Sequence, residues 1–234
     1  MSNIYNDGTY LKNNPNWHDE DAPFKADKIH TLLQKNTLSP VTITEIGCGS
    51  GEILVKLSAL LPSVRSFIGY DISNDAIALA KKKENERIHF EVKDLTEEQE
   101  SSMVDLLLVI DVIEHIEDYF RFLRGLRGKS NHVIFHIPLD LCVWTLFREK
   151  MLLESKERVG HIHNFTEDFI LSILKDQGFE LIDHFYTEPT YLPKTLKERM
   201  VRILRKTMYR LNKRWATKML GGYSILVLAK NQQV

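Results

Sequence analysis

From residue 41 onward, short runs of apolar residues alternate with longer runs in which apolar residues recur every three or four positions. The short runs are typical of strands buried on both faces, and the longer runs are typical of amphipathic helices. The predicted strands are residues 41–46, 66–71, 88–92, 104–110, 132–137, 179–186 and 221–230, and the predicted helices are residues 51–61, 74–83, 115–126 and 165–179. This alternation predicts an α/β fold: a doubly wound, mostly parallel sheet of seven strands with helices on both faces and the last strand antiparallel.

The segments that flank this core differ from it in composition. We predict an N-terminal arm with one helix at residues 1–40 and the α/β core at residues 41–186. A basic helical insertion is predicted at residues 187–222, before a terminal strand of the core at residues 223–234. Ligands of such sheets lie at the carboxyl ends of the strands, beside the point where the strand order reverses.

The arm is polar and aromatic. Asp21 is placed to cap its helix, with Pro23 in the first turn. Tyr5, Tyr10 and Trp17 need an apolar surface on which to bury, so the arm could cover the cofactor or acceptor pocket. A simple structural strut is the alternative.

Composition sets limits on the class of protein. The chain has 234 residues, of which 43% are hydrophobic, enough for one substantial core. The most apolar stretch, residues 104–113, carries Asp105 and Asp111, and the first residues lack a signal-peptide pattern, so we expect neither a membrane span nor a signal peptide. Cys48 and Cys142 do not suggest a disulfide framework or a metal knuckle, which favours a cytoplasmic location.

A glycine-rich turn follows the first predicted strand, in the sequence ITEIGCGSGEIL at residues 43–54. Gly47, Gly49 and Gly51 allow a tight turn in which a ligand approaches bare backbone at a helix N-terminus. A dinucleotide-binding turn would need a small residue at position 52, where this chain has Glu52. The register therefore disfavours an NAD-dependent oxidoreductase, which we keep as an alternative.

The segment from Glu45 to Gly51 resembles the first motif of class I S-adenosylmethionine-dependent methyltransferases, E/D-x-G-x-G-x-G. The resemblance implies the Rossmann-like methyltransferase fold and S-adenosyl-L-methionine as cofactor. It also implies transfer of the sulfonium methyl group to a nucleophile by in-line displacement. The N-P-P-Y-type motif of enzymes that methylate bases is absent, which disfavours a nucleic-acid substrate.

Acidic residues at later strand ends extend the resemblance. Asp71 ends the second strand, where a carboxylate accepts hydrogen bonds from ribose hydroxyls, and Asp94 ends the third, where the family places an acid beside the adenine. The segment from Asp111 to His115 resembles the family's fourth motif in its D-V-x-E-H form. The residues that we predict to bind the cofactor are Glu45, Gly47, Cys48, Gly49, Gly51, Asp71, Ile72, Asp94, Leu95, Asp111 and Val112.

Histidines near the fourth motif are candidates for the general base. We predict His115 and His163 as catalytic residues, because histidine titrates in the useful range; His161 is a further candidate, and structural roles are the alternative for all three. Some methyltransferases bind a divalent ion through E-x-x-E-H and a distant histidine. Asp111, Glu114, His115 and His163 could form such a set, but Asp111 replaces the first glutamate, and we predict no metal ligands.

The basic segment at residues 194–220 contains ten lysine and arginine residues and one acid, a net charge of +9 in a chain of net charge -1. Leu196, Met200, Ile203, Leu204, Leu211, Trp215 and Met219 recur at helical spacing and form one apolar stripe. The segment could be a lid that packs this stripe on the core, a surface for an anionic membrane, or a clamp for an anionic nucleotide-linked or lipid-linked sugar. The C-terminal region is similar to that of methyltransferases of bacterial surface polysaccharide or lipid-linked glycan synthesis.

These features predict an S-adenosylmethionine-dependent methyltransferase that methylates a hydroxyl of a small molecule or of a glycan or lipid-linked precursor. A non-catalytic module that binds membrane or RNA is the alternative from another functional class. Peripheral membrane contact through residues 194–220 is a further hypothesis, and no feature of the sequence indicates an oligomeric state.

Overall fold

The computed structural model describes residues 19–94, 103–189 and 195–231. Its seven strands are β1 (Thr42–Ile46), β2 (Ser66–Asp71), β3 (Ile88–Val92), β4 (Val104–Ile110), β5 (Ser130–Pro138), β6 (Phe179–Thr187) and β7 (Ser224–Asn231). Its helices are α1 (Ala22–Lys35), α2 (Glu52–Leu60), α3 (Asn74–Ala80), α4 (Tyr119–Gly125), α5 (Val143–Leu146), α6 (Lys150–Val159), α7 (Glu167–Asp176), α8 (Leu196–Leu211) and α9 (Lys213–Leu220). The predicted Leu95 and the arm residues Tyr5, Tyr10 and Trp17 lie outside the described residues.

The strands form one sheet in the order β3-β2-β1-β4-β5-β7-β6. The first five strands are parallel, and β7 runs antiparallel to both β5 and β6. This confirms the predicted seven-stranded, mostly parallel sheet and its antiparallel last strand. The strand order reverses between β1 and β4, which places the expected ligand site at the carboxyl ends of these two strands.

Strand β4 shows why the sequence of this sheet is so apolar. Successive side chains of a strand point to opposite faces, and both faces of this sheet are covered by helices. Leu107 and Val109 pack into one core with α4 and α7, whereas Leu106 and Leu108 pack into the other with α1 and α2. The continuous apolar run therefore serves two cores at once.

The start of α1 differs in detail from the prediction. The helix begins directly after Asp21 and has proline in its first turn, as expected, but the Asp21 side chain makes no capping hydrogen bond. The backbone of Asp21 is already helical, at φ -88° and ψ -17°, because residues Asp19–Asp21 form a 3-10 turn. A capping side chain needs an extended backbone in order to fold back onto the helix amides.

Helices α8 and α9 form the basic segment between β6 and β7. Because β7 is antiparallel, its first residue, Ser224, pairs with Pro138 at the carboxyl end of β5 and with Thr187 at the end of β6. The helix pair therefore leaves and re-enters the sheet at the edge that carries the expected ligand site. Among the described residues, no helix is both long and apolar enough to span a bilayer. The boundaries of arm, core and insertion stay predictions.

Candidate active site

The glycine turn between β1 and α2 has backbone angles that residues with a side chain rarely adopt. Gly47, Gly49 and Gly51 adopt positive φ angles of 69°, 53° and 79°. A Cβ atom at position 47 would lie 2.6 Å from Cγ2 of Val112, and one at position 51 would lie 2.3 Å from Cζ of Phe90. The turn thus lies between two side chains and has no room for a side chain at positions 47 and 51.

Asp71 fixes the turn from the neighbouring strand. One of its carboxylate oxygens accepts a hydrogen bond from the Gly49 amide at 2.9 Å, and the other accepts one from the Ser73 amide at 2.8 Å. Burial raises the pKa of Asp71, although these amides oppose the shift. A carboxylate offers about four lone-pair sites, so Asp71 can still accept a further donor, such as a ribose hydroxyl. The adjacent predicted residue, Ile72, is exposed.

Glu45 lies on β1 just before the turn and is 1% exposed. Its Oε2 atom has no hydrogen-bond partner within residues 19–94, 103–189 and 195–231. Burial raises the pKa of Glu45 well above its usual range. A buried carboxyl oxygen without a partner is costly, so this position suits a ligand that supplies a donor or a positive charge.

Two other predicted cofactor residues have less specific surroundings. Cys48 is buried against Gly69, and burial raises the pKa of its thiol, so the side chain is a packing group. Asp94 is half-buried two residues beyond the end of β3.

Glu52, whose bulk argued against a dinucleotide, is held by two lysines at the start of α2. Lys56 Nζ lies 2.9 Å and Lys83 Nζ 2.8 Å from its carboxylate oxygens. Lys83 also pairs with Asp19 at 3.2 Å, and Asp19 hydrogen-bonds Ser50 of the glycine turn. The last residues of the arm therefore contact the turn directly.

Asp111 follows β4 and lies between two basic side chains. Its Oδ2 is 2.7 Å from Nζ of Lys25, and its Oδ1 is 2.6 Å from Nδ1 of His136. Burial opposes ionisation, but His136 and Lys25 hold the pKa of Asp111 well below its usual range. The backbone of Asp111 is left-handed, with φ 54°, a strained conformation that this network has to maintain. His136 Nε2 lies 2.8 Å from the hydroxyl of Thr187, which links the network to β6.

The next turn along the chain, residues 113–115, brings Glu114 and His115 together with His161. The His115 and His161 rings meet edge to face, with centroids 5.0 Å apart. Nε2 of each histidine lies 4.0 Å from Oε1 of Glu114, which is fully buried. The loop is tied in place because Glu114 O accepts hydrogen bonds from the amides of Ile162 and His163.

The structure places His163, which we predicted as catalytic, outside this cluster. Its Nε2 lies 2.9 Å from the carbonyl oxygen of Ile116, and its ring packs edge to face on Tyr119. His161, which the sequence offered only as a further candidate, occupies the place beside His115. The two histidines are separated by a single residue, yet His161 bonds Asp140 and His163 bonds the carbonyl oxygen of Ile116.

Comparison with known proteins adds to this geometry. Residues 17–184 match the protein family described as "Methyltransferase domain". The chain belongs to this family. The match confirms the family and the enzyme class that the motifs predicted, and it leaves the NAD-dependent alternative without support.

Individual relatives of this methyltransferase domain are distant. It is 23% identical over 124 residues to a ubiquinone biosynthesis O-methyltransferase of Rickettsia felis, an alignment that covers 48% of this chain and 51% of the relative. The chain thus spans about half the length of the curated relatives it matches.

Solved structures share its fold over most of the chain. Magnesium protoporphyrin IX methyltransferase of Synechocystis PCC 6803, with bound S-adenosylhomocysteine, is 18% identical at a TM-score of 0.61 and covers 90% of this chain and 83% of its own. The N-methyltransferase NodS of Bradyrhizobium japonicum, also with S-adenosylhomocysteine, is 16% identical at a TM-score of 0.56 and covers 88% of this chain and 87% of its own. These complexes agree with S-adenosylmethionine as the cofactor.

The sequence missed three side chains that shape the site of this methyltransferase domain. They are Lys25, His136 and Asp140, whose Oδ2 lies 2.7 Å from Nδ1 of His161. Lys25 lies on α1, far from Asp111 in the sequence, and no local pattern marks it as a site residue. A signal for His136 did exist, because it is an ionisable residue near the carboxyl end of an apolar strand. In the parallel register it pairs with Ile110, next to Asp111.

Proposed function

We propose that this chain transfers the methyl group of S-adenosylmethionine to a hydroxyl group of a small molecule. The observation that carries the proposal is the shared position of two groups of residues at the switch point. The glycine turn with Asp71 lies at the end of β1, and the Glu114–His115–His161 cluster follows β4, the strand beside it. The name of the Rickettsia felis relative, an O-methyltransferase, supports the choice of a hydroxyl acceptor.

In this proposal the first group of residues binds the methyl donor. The Asp71 carboxylate accepts hydrogen bonds from ribose hydroxyls, and Glu45 faces the ammonium group of the methionine part, which supplies its buried Oε2 with a partner. The backbone of Gly47, Gly49 and Gly51 lets the ligand lie against the turn. The cofactor brings a methyl group on a sulfonium leaving group, so the protein has chiefly to align the acceptor and accept its proton.

Isothermal titration with S-adenosylhomocysteine tests the donor site. We expect binding to the wild-type protein and at least about tenfold weaker binding to Asp71→Asn, because a charged acceptor contributes roughly 1.5–3 kcal/mol. Asp75→Asn is the matched control, since Asp75 is an exposed aspartate on the following helix. Binding of NADH in place of S-adenosylhomocysteine would contradict the proposal.

We further propose that the acceptor is presented at an anionic membrane, against which α8 and α9 lie. A lid, one of the three roles considered for this segment, would bury its apolar stripe, yet the stripe faces solvent. Its exposed residues are Leu196 (75%), Met200 (64%), Ile203 (66%), Leu204 (51%), Leu211 (83%) and Trp215 (62%). The side of the helix pair that packs on the protein instead includes Ala216, Thr217 and the stem of Arg205.

A neighbouring helix also carries exposed apolar side chains. Helix α5 contacts α9, and its last residue, Leu146, and the following Phe147 are 57% and 86% exposed. The helix pair also carries most of the basic charge of the segment, which complements acidic lipid head groups. Each large apolar side chain that enters the bilayer interface contributes up to about 1.5–3 kcal/mol.

Vesicle flotation tests whether this apolar surface binds a membrane or a second copy of the chain. We expect binding to phosphatidylglycerol vesicles but weak binding to phosphatidylcholine vesicles, and release in 1 M salt, where the Debye length falls to about 3 Å. Trp215→Ser and Leu211→Ser should each weaken binding, whereas Leu60→Ser, an exposed apolar residue on α2, should not. No flotation at low salt would contradict the proposal, and so would a dimer in solution that Trp215→Ser dissociates.

A further inference from the structure

Glu114 is a fully buried carboxyl group whose two oxygens both lack a hydrogen-bond partner within the described parts of the chain. One ligand atom each from Glu114, His115 and His161 lies within 4.8 Å of the other two. An isolated ionised carboxylate in such a place is strongly disfavoured, and even a neutral one loses its hydrogen bonds. The position therefore calls for a partner that these residues do not themselves provide.

The two histidines are oriented so that the same nitrogen of each ring faces Glu114. Nδ1 of His161 lies 2.7 Å from Oδ2 of Asp140, and Nδ1 of His115 lies 3.0 Å from the carbonyl oxygen of Gly160. Both of these partners are acceptors, so in the neutral rings Nδ1 carries the hydrogen and Nε2 carries the lone pair. This tautomer follows from the hydrogen-bond network.

The distances suit an ion between the side chains better than direct contact. Nε2 of each histidine is 4.0 Å from Oε1 of Glu114, which is too far for a hydrogen bond. Bonds of about 2.0–2.2 Å from a central ion at tetrahedral angles would place neighbouring nitrogen and oxygen ligand atoms about 3.3–3.6 Å apart, slightly closer than they lie here. Only small movements of the side chains are then needed to complete the coordination.

We propose that Glu114, His115 and His161 bind a divalent transition-metal ion, with Asp140 as the residue that positions His161. Two imidazoles and one carboxylate are a ligand set for zinc, manganese or a similar ion, and three protein ligands leave coordination positions open. A carboxylate behind a ligating histidine is the usual arrangement that fixes the ring. The set differs from the one that the sequence suggested, because Asp111 is engaged by Lys25 and His136, and His163 by Ile116.

The inference rests on the proposed function and assigns a role to the open coordination positions of the ion. There the hydroxyl oxygen of the acceptor would bind the ion, which lowers the pKa of the hydroxyl so that its proton passes to solvent. The oxygen then forms a bond to the methyl carbon, and the electrons of the carbon–sulfur bond return to sulfur, which leaves as the neutral thioether. His115 acts in this scheme as a metal ligand, and not as the general base that we predicted.

The test is metal binding to the purified full chain after treatment with a chelator. We expect one zinc or manganese ion per chain by titration calorimetry, and visible ligand-field bands when cobalt is used instead. Glu114→Gln and His161→Ala should abolish the site, and Asp140→Asn should weaken it by about 10- to 100-fold. His163→Ala should keep the wild-type metal affinity.

Titration of each variant with S-adenosylhomocysteine shows whether it is folded and separates the two proposals. If the wild-type chain binds S-adenosylhomocysteine but no metal, or if His161→Ala binds metal as tightly as wild type, the metal site is wrong and the proposed function stands. If S-adenosylhomocysteine does not bind to the wild-type chain, the proposed function itself fails. Loss of metal binding in His163→Ala with retention in His161→Ala would favour the ligand set suggested by the sequence.

Discussion

The two halves of the carboxyl edge of the sheet are constructed differently. Around β1 and β2, the site consists of backbone in a turn of five residues, held by Asp71 from the adjacent strand. Around β4 and β5, it consists of ionisable side chains that come from segments far apart in sequence, from Lys25 to His161. The first half is a local feature of the chain, whereas the second exists only after the whole sheet has assembled.

The difference shows in what each half can tolerate. The glycine turn excludes a side chain by contact with Val112 and Phe90, so a substitution there acts through sterics. The second half depends on charges that compensate one another in a buried place, so a substitution there acts through electrostatics and depends on pH. Mutations in the two halves should therefore be distinguishable by their pH dependence.

Gly51→Ala should have the largest effect. The new methyl group would overlap the Phe90 ring, and alanine would also have to adopt a positive φ of 79°. Overpacking and backbone strain together cost about 2–6 kcal/mol. We expect S-adenosylhomocysteine binding to fall at least 100-fold in calorimetry, with no dependence on pH.

Gly128→Ala is the control for this substitution. Gly128 has a similar φ of 71°, but nothing lies within 4 Å of an added Cβ. It should lose about 1 kcal/mol of stability from strain alone and keep its affinity for the ligand. Equal effects of the two substitutions would mean that contact with Phe90 does not matter.

Lys25→Met should have the next largest effect and act on the other half. It leaves the Asp111 carboxylate with its contact to His136, in the strained left-handed conformation. Removing one partner of a largely buried pair costs about 2–4 kcal/mol, which chemical denaturation at pH 7 would measure. Because the folded pKa of Asp111 is depressed, this contribution is present above the unfolded pKa and is lost as pH falls through the acid range below about 4.

Lys28→Met provides the matched comparison on the same helix. Lys28 pairs with Asp27 at an exposed position, and such pairs contribute little. The difference in stability between the two variants should shrink at low pH. If Lys25→Met is no more destabilising than Lys28→Met at pH 7, the Asp111 network is not needed for stability.

These contrasts explain how much the sequence could predict. The strands, the helices and the glycine turn were predicted from local sequence patterns, and the structure agrees with these predictions. Both the apolar run of β4 and the spacing of the glycines depend only on residues that are neighbours in the sequence. The side-chain half was predicted less well. His161 and His163 are both plausible in sequence, and the choice between them depends on Asp140 and Ile116, which approach from other loops. The role of Trp215 was left open for a similar reason, since an apolar stripe does not reveal whether protein or solvent covers it.

Glu45→Gln should have a moderate effect on the pH dependence of stability. Glu45 is a buried acid in the half of the site that consists mainly of backbone, so this half also contains one group that depends on pH. Burial raises its folded pKa well above the value of the unfolded chain, so the folded state without ligand binds the proton more tightly. Stability then decreases as pH rises above about 4.5, by at most about 1.4 kcal/mol per pH unit for one group. Denaturation at pH 5 and pH 8 should show a smaller decrease for Glu45→Gln than for wild type, and an unchanged decrease for the exposed Glu157→Gln.

Asp168→Asn should have the smallest effect on stability, because it removes contacts at the surface between α9 and the core. Asp168 binds Arg214 at 2.5 Å and Lys218 at 2.6 Å, but all three side chains are largely solvent-exposed. Exposed ion pairs contribute little, so the melting temperature should change by no more than about 2 °C. Hydrogen exchange should nevertheless be faster in α9 and unchanged in β4, since the pair fixes the helix and not the sheet. Faster exchange in β4 would show that the basic helices support the site and do not merely lie beside it.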